Sequence, residues 1–112
     1  GSSCGPSNRD FAGTKWESRQ VDSDPTMGSV ELVLSLEFID TRMFLLKRRE
    51  RWVSKKESVK TPLPDDTEVS GEYRVERSTI HLSFADGSSL VFGYKDGKII
   101  SHDETRIFMK VP

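Results

Sequence analysis

Val30-Glu31-Leu32-Val33-Leu34-Ser35-Leu36-Glu37-Phe38 carries an apolar side chain at every even position, while the odd positions mix glutamate, valine and serine. Alternation with a period of two marks a half-buried strand, and a helix with this order would bury the charges. Upstream, residues 15–21 form a shorter candidate strand around Trp16, separated from the first by the turn-rich Asp22-Ser23-Asp24-Pro25-Thr26-Met27-Gly28. Downstream, Asp40-Thr41 breaks the chain, and Met43 to Leu46 opens a strand that runs into a basic stretch ending at Lys56. Both parities are apolar near Leu45, so the register beyond it stays open.

The same grammar continues to the end. Thr61-Pro62-Leu63-Pro64-Asp65-Asp66 reads as a loop, because proline donates no ladder bond. Val69, Gly71, Tyr73 and Val75 alternate with polar residues, as do Ile80, Leu82 and Phe84, then Leu90, Phe92 and Tyr94. Asp86-Gly87 and Asp96-Gly97 between these runs are hairpin turns, since glycine tolerates positive φ. Residues 98–102 and 105–111 close the chain as two short strands. About eight strands with short reversals make sequential neighbours, which predicts an all-β, single antiparallel up-and-down meander. Curling it into a barrel removes the exposed edges that an open meander would present.

Composition narrows the function. In 112 residues, 17 Lys plus Arg balance 18 Asp plus Glu, so no global field points to nucleic acid or a membrane surface. A lone cysteine, Cys4, excludes a disulfide framework within the chain. No apolar run approaches the roughly 18 residues of a membrane-spanning helix. Gly1 to Asp10 has the makeup of a flexible leader, and residues 11–112 form the expected barrel domain. A Gly-Ser start is also what engineered cleavage leaves, so residues 1–3 stay outside the fold argument.

The series Gly13-Thr14-Lys15-Trp16, the long strand ending in Phe38, Gly71-Glu72-Tyr73-Arg74-Val75, Ile80 to Gly87 and the closing Ile107-Phe108-Met109-Lys110 resembles the small lipocalin-like lipoproteins of Gram-negative gut bacteria. The resemblance spans nearly everything after residue 11. It implies an eight-stranded meander barrel in the bacterial cell envelope, anchored to a membrane through a lipid-modified Cys4. Ser2-Ser3-Cys4 is similar to the tail of a lipobox, and acyl chains on Cys4 followed by a short leader would hold the barrel near a bilayer. Members are mostly of unassigned function, and no catalytic motif or cofactor comes with the resemblance.

Three sets of residues are candidates for chemistry. The large apolar side chains Trp16, Phe38, Phe44, Tyr73, Phe84 and Phe92 either fill the barrel or wall a cavity for a small apolar ligand, and strands this short favour filling. Residues 47–60 hold seven basic and two acidic side chains, a local charge of +5 against −6 elsewhere. Arg48, Arg49, Arg51, Trp52, Lys55 and Lys56 are therefore candidates for a surface that meets a protein, a glycan or anionic lipid, with nucleic acid last. A solvated hairpin whose charges prevent edge aggregation is the plainer reading.

His102 and Asp103 are the third set, in a hydrolytic rival that needs a further polar group converging on them. His81 belongs to the polar side of its strand and is expected to face solvent. Asp65, Asp66 and Glu68 lack the ligand spacing of a calcium loop, so no metal site is read. The reading that follows is a non-enzymatic, monomeric, membrane-tethered binding or interaction module.

Overall fold

The computed structural model describes residues 5–112. Ahead of the first strand, α1 (Asn8–Phe11) is a single helical turn, followed by β1 (Lys15–Asp24), β2 (Gly28–Phe38), β3 (Met43–Lys55) and β4 (Thr67–Glu76). The second half supplies β5 (Thr79–Phe84), β6 (Ser89–Lys95), β7 (Lys98–Ser101) and β8 (Ile107–Val111). Every strand pairs antiparallel with its sequence neighbours, and β8 returns to β1, giving a closed eight-stranded up-and-down barrel compatible with a lipocalin-like fold.

The even parity of β2 points inward as its alternation requires. Leu36 and Phe38 are fully buried, and the cross-strand partners Trp16 and Phe44 join them in the core. The same parity continues around the barrel through Tyr73, Val75, Ile80, Leu82, Phe92, Ile99 and Phe108. Register beyond Leu45, open in the sequence, is settled by Phe44 and Leu46 taking the inner face. Gly71 sits where β4 crosses the Phe44 ring, and a Cβ there would lie 2.0 Å from the Ser83 carbonyl oxygen. Only a residue without a side chain lets these strands approach so closely.

The closing strands shorten to Lys98–Ser101 and Ile107–Val111, and two further boundaries change. Residues 22–28 are not a loop: β1 continues to Asp24, the reversal is confined to residues 25–27, and β2 starts at Gly28. Asn8 to Asp10, placed in the leader, form the helical turn with Phe11. Ser7 explains this, because its N–H donates to Asp10 Oδ2 at 2.7 Å and closes a capping box. The turn plugs the end of the barrel at which β1 begins. Phe11 is buried there against Trp16, Phe38 and Tyr94. Cys4, the expected anchor, lies outside the described residues.

β8 pairs with β1 only through Glu17, and β4 pairs with β3 only through Arg48. Beyond those points β1, β2 and β3 run on together as a three-stranded ribbon made of residues 18–24, 28–34 and 49–55. The molecule is therefore 62 Å long but only 29 × 25 Å across. Strands of 11 and 13 residues in β2 and β3 do not deepen the barrel into a cup. Their extra length makes the ribbon.

Candidate binding surface

Sequence reasoning brought six aromatic side chains to the interior; packing buries five of them, and Phe84 is half-buried against the core. Phe38 and Tyr73 have ring centroids 4.7 Å apart, Phe44 meets Phe84 edge-on at 5.3 Å, and Phe92 meets Phe108 at 5.5 Å. Trp16 donates its indole N–H to Thr14 Oγ1 at 2.9 Å, so its polar end is satisfied at the barrel rim. Offset and edge-to-face pairs of this kind are the arrangement ring quadrupoles favour, and they leave the centre to side chains. At the opposite rim, Phe84 also borders an open apolar hollow of about 490 Å³ with Leu46, Val69 and Ala85.

The basic residues do not form one patch. A strand sends alternate side chains to opposite faces, so Arg49 and Arg51 lie on the outer face of the ribbon and Arg48 and Trp52 on the inner one. Arg48 pairs with Glu50 at 3.0 Å and Arg51 with Asp66 at 3.2 Å. Such half-exposed pairs are worth about 0–1 kcal/mol, and Asp66, from outside the +5 stretch, offsets one of its cations. Trp52 is half-buried beside Leu63 and Pro64, whereas Lys55 and Lys56 are exposed at the ribbon's far end.

A half-enclosed concavity lies where the ribbon leaves the barrel. Its volume is about 370 Å³, and β1, β2, β3 and the start of β4 all contribute walls. Val33, opposite Arg19 and Arg49 in the register, is the apolar floor at 3% exposure although it belongs to the outward parity. Ser35 lies between Glu17 and Lys47, and Lys47 lies opposite Glu68. Lys15, Lys47 and Arg49 bring positive charge to the cleft, while Glu17, Asp66 and Glu68 bring negative charge. Arg19 bridges Glu17 at 3.1 Å and Glu31 at 3.3 Å beside it. An apolar floor with charges of both signs on its walls suits a polar partner that carries donors, acceptors and a small apolar group.

The remaining candidates have local roles. Asp103 accepts from Ser101 Oγ, Thr105 Oγ1 and the Thr105 N–H, which close the β7–β8 turn. The Ser101 hydroxyl first, then the Thr105 hydroxyl and N–H, hold its carboxyl down to about 2. His102 next to it is exposed. His81 is half-buried rather than solvated: it stands opposite Arg74 and Val91 on the outer wall and lines a shallow hollow there. Among the described residues, no group of three His, Cys, Asp or Glu side chains is placed to hold a metal ion.

Asn8 and Phe11 are the structural residues missed in the sequence, although Ser7-Asn8-Arg9-Asp10 before Phe11 has the spacing of a capping box and could have been read as one. The cleft had no such signal. It depends on four strands diverging, which no local pattern encodes. Compared with protein-family models, with curated proteins and with solved structures, the chain matches none.

Proposed function

We propose that the protein is a non-catalytic interaction module tethered to a membrane of the bacterial cell envelope. The barrel is its rigid stem, and the cleft at the root of the ribbon meets the partner. The observation that carries this reading is the packing of Phe38, Phe44, Tyr73 and Phe92 inside the barrel, which supports recognition on the outside. Partner chemistry follows from the cleft: a protein or glycan surface with polar groups of both signs, met by Lys15, Lys47, Arg49, Glu17 and Glu68. The lipoprotein resemblance supports the tether at Cys4. A small apolar ligand is the second reading, and the hollow beside Phe84 and Val69 favours it at the rim rather than the centre.

The test is photo-crosslinking in the native host from a benzophenone side chain at Thr67 in the cleft, with Ser83 on the distant barrel wall as the control. A discrete adduct from Thr67, absent from Ser83 and lost when Lys47 and Arg49 become serine, is the expected result. Identical patterns from both positions, or an adduct indifferent to the two cations, would exclude the cleft.

A further inference from the structure

Two edges of the ribbon differ in protection. Along β3 the chain doubles back: Arg51 reaches Asp66 at 3.2 Å, and the returning segment contains Pro62 and Pro64. Among the described residues nothing pairs with the outer edge of β1 beyond Glu17. Phe38 N–H donates to the Thr14 carbonyl, so the even residues of β1 direct their backbone groups to β2. The odd residues Arg19, Val21 and Ser23 therefore aim theirs outward, and Val21, at 53% exposure, stands in the middle.

We propose that this edge is a dimerisation site and that its occupant is a second copy of the same strand, joined antiparallel about a two-fold axis at Val21. One register fits. With Val21 opposite itself, residues 18–24 of one copy span residues 24–18 of the other, which is the whole free edge. Arg19 and Ser23 then exchange backbone bonds across the axis, and Asp22 faces the amide donor of Gln20. Sliding toward the barrel would set Ser23 and Asp24 of the second copy against Glu17 and Trp16, where Met109 and Lys110 already pair. Sliding toward the tip would set Asp22 against Asp22. Arg19 brings no excess charge to the axis, because Glu17 and Glu31 bridge it. The interface is isologous and closed, so it makes a six-stranded ribbon and not a fibre. It is independent of what the cleft binds, and it replaces the expected monomer with a two-fold dimer.

Sedimentation equilibrium of the full chain from micromolar to millimolar concentration tests it. The wild type is expected to show reversible dimerisation. Val21→Pro deletes only an outward-facing N–H, so it is expected to stay monomeric with an unchanged circular dichroism spectrum and melting temperature. Val21→Lys keeps the backbone and sets two like charges on the axis; it is expected to be monomeric at low salt and to recover dimer at high salt. A wild type that is monomeric throughout, or a dimer that survives Val21→Lys unchanged at low salt, would overturn the proposal.

Discussion

Asn8 and Tyr73 hold each other in both directions. The Asn8 side-chain amide donates to the Tyr73 carbonyl at 3.1 Å, and the Tyr73 hydroxyl lies 3.0 Å from the Asn8 carbonyl in a bond shared with the Asp40 carbonyl. Asn8 also donates to the Thr41 carbonyl at 2.7 Å and accepts the Val75 N–H at 2.7 Å. One side chain thus fastens α1 to β4 and to the β2–β3 turn. Asn8→Ala is expected to cost about 1–3 kcal/mol, because it strands partly buried backbone groups. Arg9→Ala, one residue along and exposed, is expected to change stability by less than about 0.5 kcal/mol. Urea unfolding of the pair measures the difference.

Alkaline stability tests the same joint. Burial, with a smaller contribution from the Asp40 charge, pushes the Tyr73 hydroxyl up to about 12. Folding therefore favours the neutral phenol. Its contribution is fully present below the ordinary tyrosine range and is lost as pH rises through about 12. In a Tyr94→Phe background Tyr73 is the one tyrosine left. Its tyrosinate absorbance is expected to rise near that upper value together with loss of the fold.

Acid acts at the turns. Asp24, Asp40, Asp86 and Asp103 each accept hydrogen bonds from the residues that follow them, and each carboxyl is held below the ordinary aspartate value of 3.8. A depressed carboxyl stabilises the fold above its unfolded value and loses that contribution as pH falls, for Asp103 through about 2. Asp103→Asn is expected to lower stability at neutral pH and to flatten the acid limb of the stability curve. Thermal melts between neutral and strongly acid pH check both effects.

The turn between β4 and β5 is the least well matched to its residues. Arg77 and Ser78 have φ of 51° and 65°, the left-handed pair of a type I′ reversal. Asp96-Gly97, with φ of 53° and 75°, uses residues suited to that shape. Replacing Arg77-Ser78 by Asn-Gly is expected to stabilise the barrel by about 1–2 kcal/mol, since each ordinary side chain in this region is strained. The midpoint of chemical unfolding should rise with no change in its slope.

Much of the barrel was legible because two-residue alternation is local. Leu32, Leu36 and Phe38, the Asp-Gly turns and the order of neighbours can all be read from short windows. Whether Lys47 to Lys56 made one basic face could not be read from charge alone: the period of the strand divides Arg48 from Arg49, and Asp66 reaches Arg51 from beyond the stretch. The ribbon was invisible for a related reason. Nothing in Ser18 to Asp24 announces that β8 stops pairing at Glu17, because that limit is set where β8, some ninety residues away, diverges with Phe108 and Ile107 paired to β7 alone. The cleft around Val33 inherits the same non-locality.

Native mass spectrometry of the protein released intact from its own host membrane tests the filled, tethered barrel most directly. The expected spectrum carries the mass of acyl chains on Cys4 and no retained small molecule. An unmodified Cys4, or a stoichiometric apolar ligand that leaves only when the barrel unfolds, would contradict it.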